Sequence, residues 1–159
     1  MNIFKIFILS FLFILSCTEK TKLQRAPDFN LKTIYEDEFH LYDYIGNVII
    51  IDFWDTWCPP CRAEIPHFIE LYNKYKDKGL LIVGIAFARE GIEKVKSFVN
   101  DEGINYPVLI ANPEVVKNYG GITAIPTTFI INKNGEIFEK IIGYRNKEFF
   151  EEKIKILLK

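Results

Sequence analysis

The stretch FWDTWCPPCRAEIP, residues 53–66, sets two cysteines two residues apart, with only prolines between them and two tryptophans just ahead. Such a pair is a metal clip, a structural staple or a redox centre, and the neighbouring residues bear on which. Residues 48–53 are apolar apart from Asp52, the pattern of a strand covered on both faces. Downstream, Pro60 can open a helix because the N–H it lacks would have no partner there. Ile65, Phe68, Ile69, Tyr72 and Tyr75 then fall on one helical stripe, and Gly79 ends it. The cysteines therefore stand at a strand-to-helix junction.

That placement has chemical consequences. A thiolate, not a thiol, attacks a disulfide, and the unpaired N–H groups and dipole at a helix N-terminus favour the charged form. Cys58 holds this position. Cys61, one turn further in, is close enough to bond with Cys58 and should be less exposed, which suits it to resolve a mixed disulfide. Pro59 and Pro60 stiffen the connection. A zinc site would need two more ligands, and His40 and His67 lie at no recognised spacing. A static disulfide more often links separate elements than two residues of one turn. Both stand as alternatives to the redox centre.

Beyond the junction, strand and helix patterns alternate. Residues 80–87 read as a second buried strand; Ile92, Val95, Phe98 and Val99 mark a second helix; residues 106–111 form a short strand and 113–119 a short helix. Pro126 precedes a strand over 127–132. Asn134-Gly135 is a two-residue hairpin signal leading to 136–143. Phe150, Ile154, Leu157 and Leu158 give a last amphipathic helix. The expected class is α/β, a mixed sheet with helices on both faces.

The chain has 159 residues, enough to bury one core without disulfide scaffolding. Aromatic residues make up 15%, consistent with a well-filled interior. Its 20 basic and 21 acidic residues are scattered, with a net charge of -1, so nothing points to nucleic acid. At the N-terminus Lys5 precedes residues 6–15, apolar except for Ser10. This is an export signal, shorter than the roughly 20 residues that span a bilayer. Ile14-Leu15-Ser16-Cys17 resembles the cleavage box of bacterial lipoproteins, although Leu15 departs from the commonest pattern. The expected organisation is a signal peptide over 1–16, lipidation at Cys17, a polar tether over 17–25 and one domain over 26–159. The protein would then be exported and held at the membrane by its lipid anchor, facing the periplasm or the cell exterior.

Trp57-Cys58-Pro59-Pro60-Cys61, Pro66, Ile125-Pro126-Thr127 before a strand and Gly143 near the last helix together resemble the thioredoxin fold. The extra strand and helix within residues 80–121, the Ala26-Pro27-Asp28-Phe29 entry and the Cys61-Arg62-Ala63-Glu64-Ile65-Pro66 run are more similar to one branch of it. That branch is the TlpA/ResA-like family of exported, membrane-tethered thiol-disulfide oxidoreductases, and the likeness covers residues 26–159.

The resemblance implies a cis bond between Ile125 and Pro126 facing the cysteines, with the Ile125 main chain open to pair with an extended substrate strand. Trp57 and Pro59 would line the same substrate site, and Trp54 with Trp57 would shield the thiols. Asp52 interrupts an apolar strand, where a buried acid without a cation has a raised pKa and can exchange protons near neutrality. Thioredoxin has an acid at the matching place, whereas many members of the exported branch have a neutral residue there. Glu64 matches the acid that ResA-like proteins place beneath the cysteines, but an acid in a first helical turn also complements the dipole with no catalytic purpose.

No metal or other cofactor is called for. The implied partners are proteins with cysteines or disulfides, apocytochrome c among them, and an upstream membrane electron donor. The chain carries no CxxCH motif of its own. Two other functions fit the same cysteines. A peroxidase of the peroxiredoxin type needs Thr-x-x-Cys, and Asp55 occupies the place of that threonine. A non-catalytic lipoprotein would bind a partner through the same groove.

Overall fold

The computed structural model describes residues 23–159; the signal peptide over 1–16 and Cys17 lie outside the described residues. Strand β3 (Val48–Trp54) is buried along its whole length. Val48 and Ile50 join one apolar cluster while Ile49, Ile51 and Phe53 join another, which is why its sequence is a continuous apolar run rather than an alternation. Parallel to β3 runs β4 (Leu80–Ala86), which pairs in parallel with β5 (Val108–Ile110). On the other side β6 (Thr127–Ile131) and β7 (Ile137–Ile142) add antiparallel neighbours. The sheet order is β5-β4-β3-β6-β7, the mixed sheet expected.

Helices α1 (Pro59–Tyr75), α2 (Ile92–Glu102) and α4 (Lys147–Leu158) bury Phe68, Val95, Phe98, Phe150 and Ile154 against the even-numbered face of β3. Helix α3 (Pro113–Asn118) covers the opposite face with Val115. Alongside it lies a hairpin of β1 (Asn30–Lys32) and β2 (Glu38–His40) that no periodicity announces. The Thr33 hydroxyl organises its turn, accepting from the Tyr35 and Asp37 N–H groups. The Ile34 N–H then donates to the Val108 carbonyl at 2.9 Å, covering part of the edge that β5 would otherwise expose. Gln24 and Arg25, from the end of the stretch read as a tether, meet the start of β7: the Ile137 N–H donates to the Gln24 carbonyl, and the Arg25 and Glu136 backbones pair as an isolated antiparallel bridge.

The Asn134-Gly135 turn departs from the two-residue hairpin. A type I′ turn needs positive φ at both central residues, but only Gly135 has it, at +78°. The Gly135 N–H donates to the Asn132 carbonyl and the Asn132 N–H to the Glu136 carbonyl, each at 2.9 Å. The loop is therefore three residues, 133–135, and the pairing of β6 with β7 shifts between Ile130 and Ile131.

Candidate active site

Cys58 is the N-cap of α1, with Pro59 and Pro60 in the first turn, where the N–H they lack goes unused. The helix thus begins one residue before the Pro60 start expected. Cys58 Sγ accepts the Cys61 N–H at 3.3 Å, so an orphan amide of the first turn points at the sulfur. The two sulfurs are bonded, 2.11 Å apart. Cys61 is fully buried and Cys58 retains 2% exposure, the order expected for a resolving and an attacking thiol. The Cys58 N–H in turn donates to the Asp55 carbonyl at 3.2 Å.

Across from the sulfurs the Ile125–Pro126 bond is cis, and the Ile125 carbonyl oxygen lies 3.7 Å from Cys58 Sγ. Between Trp57–Pro60 and the segment 122–125 runs a groove of about 370 Å³, walled also by Phe87 and Arg89. Trp57, Pro59 and Ile125 all line it; Pro126 is buried behind. Only one of the two tryptophans lies over the groove. Trp57 is 45% exposed, while Trp54 is buried against Phe98, 5.5 Å between ring centres, in the same apolar cluster as both cysteines.

Asp52 lies on the even-numbered face of β3, buried, with its Oδ1 accepting the Thr128 hydroxyl at 3.2 Å. Burial pushes its carboxyl up to about 7 against the opposing effect of that hydrogen bond. Glu64 is not an exposed first-turn acid complementing the dipole: it is fully buried, and its Oε1 accepts the Arg145 N–H at 2.8 Å. Its Oε2 has no partner among the described residues. Burial first, and the negative charge of Asp52 second, push Glu64 up to about 8. The two carboxyls therefore feel one another and titrate as a pair. Burial, with help from both acids, also holds the Tyr106 hydroxyl well above its ordinary value, so a neutral phenol borders them.

The histidines are engaged elsewhere: His40 with Asp28 and Asp43, His67 with the Tyr144 hydroxyl. Among the described residues no three His, Cys, Asp or Glu side chains are grouped to hold a metal ion.

Several residues that shape the site carried no signal in the sequence. Asp55, read only as a substitute for a threonine, is fully buried and accepts the N–H groups of Thr56 at 2.8 Å and of Arg89 at 3.2 Å. The Thr56 hydroxyl donates to Glu90 at 2.9 Å. Together these contacts strap the loop after β4 to the cysteine loop. Thr128 and Arg145 meet their acids across 76 and 81 residues of chain, separations that no local pattern encodes.

The AhpC/TSA family model matches residues 23–140. The chain is 38% identical over 140 residues to the thiol-disulfide oxidoreductase ResA of Bacillus thuringiensis (strain Al Hakam), covering 86% of this chain and 80% of that protein. Among solved structures it is similar to a thiol:disulfide interchange protein of the thioredoxin family from Chlorobium tepidum TLS. That likeness has 36% identity and a TM-score of 0.81, over 87% of this chain and 98% of the other. StoA from Bacillus subtilis is similar at 28% identity with a TM-score of 0.69, over 80% of this chain and 96% of that one.

Proposed function

We propose, from the premise that this chain belongs to the AhpC/TSA family and is a thiol-disulfide oxidoreductase of ResA type, that it reduces disulfides of proteins outside the cytoplasm. The observation that carries the reading is the sulfur of Cys58 at the cap of α1, accepting the Cys61 N–H and facing an apolar groove. An amide aimed at the sulfur and the dipole behind it favour the thiolate that attacks. In the dithiol state Cys58 attacks one substrate sulfur, forming a mixed disulfide and releasing the other as a thiolate. Cys61 then attacks Cys58, frees the substrate and closes the Cys58–Cys61 disulfide. Two electrons pass to the substrate, and the membrane donor returns them.

Substrate chain docks extended along 122–125, pairing with Ile125 through main-chain bonds, while Trp57 and Pro59 hold its apolar side chains. Asp52 takes the proton of Cys61 as it attacks, and Glu64, coupled to Asp52 by charge, sets when that acid is free to accept it. The reducing direction is inferred from Asp52 and from Ile125 before Pro126, both similar to reducing thioredoxins. Export and anchoring at Cys17 rest on the sequence of residues 1–17 alone. Apocytochrome c is one candidate substrate.

The test is a trap. Cys61→Ala should leave Cys58 covalently joined to natural substrates in intact cells, which mass spectrometry identifies. Cysteine-containing exported proteins on the trap support the proposal; an empty trap, with no insulin reduction by the unmodified protein, favours the binding lipoprotein instead. The peroxidase alternative predicts peroxide consumption that survives Cys61→Ser. Against it, the Asp55 carboxylate is already committed to two backbone amides.

A further inference from the structure

Arg89 is the one charged side chain among the residues that line the groove beside Cys58. Its guanidinium carbon lies 5.3 Å from the centre of the Trp57 ring, next in sequence to the attacking cysteine. A guanidinium held over an aromatic ring by cation–π attraction still has N–H groups to offer a carboxylate. Among the described residues the Arg89 guanidinium has no ion pair and no hydrogen bond; its main-chain N–H is the group held, by Asp55 Oδ2. The carboxylate of its neighbour Glu90 is turned to the Thr56 hydroxyl, makes no ion pair with Arg89 and does not line the groove.

The loop that presents Arg89 is built to stay in place. Ala88 has φ +53°, and the Gly91 N–H closes onto the Ala88 carbonyl at 2.9 Å. Asp55, whose own carbonyl anchors the Cys58 N–H, grips the Arg89 amide. Asp55 thus ties the cysteine loop, through its carbonyl, to the backbone of the Arg89 loop, through its carboxylate, and so fixes where the Arg89 side chain starts beside the groove.

We infer that Arg89 selects substrates: the groove takes an extended, largely apolar peptide segment whose cysteine is flanked by an acidic residue, and that residue's carboxylate pairs with the Arg89 guanidinium held over Trp57. This rests on the oxidoreductase reading above and names the class of protein segment it acts on. An acidic flank is drawn to the groove and its cysteine is presented to Cys58; a basic flank is repelled from the same place.

The experiment uses the full chain, reduced with dithiothreitol and freed of it. Two disulfide-bridged peptides are compared that differ only in carrying Glu or Lys beside their cysteines. Cys58 and Cys61 supply the two electrons, each peptide leaves as a dithiol, and the tryptophan fluorescence change gives the second-order rate constant. The Glu peptide should react roughly fivefold faster than the Lys peptide at low salt, with the ratio falling towards one at high salt. Arg89→Glu should invert the ratio and Arg89→Gln should bring it close to one; because each ratio is taken within one variant, general damage cancels. Equal rates in the unmodified protein, or an acidic preference that survives Arg89→Glu, overturn the inference and leave the oxidoreductase reading intact. Reduction of neither peptide, nor of insulin, overturns both.

Discussion

The Glu64 carboxylate takes the main-chain N–H of Arg145 at 2.8 Å, joining the first turns of α1 to the loop ahead of α4 across 81 residues. Its second oxygen is buried without a partner, a state that costs least when the carboxyl keeps its proton. The acid is thus both a clasp between two helices and a store for a proton near Asp52.

A dependence of stability on pH follows. Both acids bind a proton more tightly in the folded chain than in the unfolded one. Their contribution is therefore complete below the ordinary carboxylate range and is lost as pH rises through the folded values of about 7 and about 8. Glu64→Gln keeps the Arg145 bond and removes one of the two titrations. Urea unfolding of the disulfide form at pH 5 and pH 9 should show the loss shrinking by on the order of 2 kcal/mol in this variant. An unchanged loss would mean that folded Glu64 holds no extra proton.

Asp52→Asn retains an oxygen for the Thr128 hydroxyl and removes a proton acceptor. Resolution of the mixed disulfide by Cys61 should slow by about tenfold or more at pH 7, the deficit closing at alkaline pH where Cys61 loses its proton unaided. Quenched-flow trapping would show the mixed disulfide accumulating. Resolution at the unmodified rate would remove Asp52 from the relay.

In the reduced protein Cys58 should be alkylated by iodoacetamide before Cys61, and faster at pH 7 than a cysteine in an unstructured peptide. The capping amide from Cys61 and the helix dipole both favour its thiolate. Peptide mapping of the labelled protein gives the order. A Cys58 no more reactive than the peptide would undo the nucleophile assignment.

Gly84 pairs with Asp52 across the sheet, and a Cβ there would come within 2.7 Å of Trp54 Nε1. Trp54 cannot give way easily, since it is buried against Phe98. Gly84→Ala should destabilise the protein by roughly 1–3 kcal/mol, measurable as a lowered urea midpoint. A neutral result would show that the indole has room to turn.

Equilibration with glutathione or thioredoxin standards tests the direction of electron flow. A reductant should have a potential nearer thioredoxin, about -270 mV, than DsbA, about -120 mV. A value close to the latter would reverse the physiological assignment and leave fold and cysteines untouched.

Elements whose cause is local are legible in the sequence. Strand β3 shows as an apolar run because both its faces are covered, and α1 shows through its prolines and apolar stripe. Cys58 and Cys61 declare themselves by spacing at a strand-to-helix junction. The β1–β2 hairpin was not legible: its strands are three residues each, too short for a period, and a threonine side chain sets its turn. Asn134-Gly135 marks the hairpin, but which residue takes positive φ sets its length.

Around the cysteines, local residue order is enough to supply the chemistry: a thiol at a helix cap, a resolving thiol one turn on, and an acid inside an apolar strand. Tertiary structure decided the partners and therefore the charges. Glu64 could have complemented a dipole on the surface; burial against Arg145 turned it into a carboxyl that holds its proton. Asp55 could have been any loop acid until the chain folded back and gave it the Arg89 amide to hold. The physical reason is distance along the chain: backbone propensity and side-chain period act over a few residues, whereas desolvation and hydrogen-bond pairing depend on groups 34 to 81 positions away, which meet only once the sheet has formed.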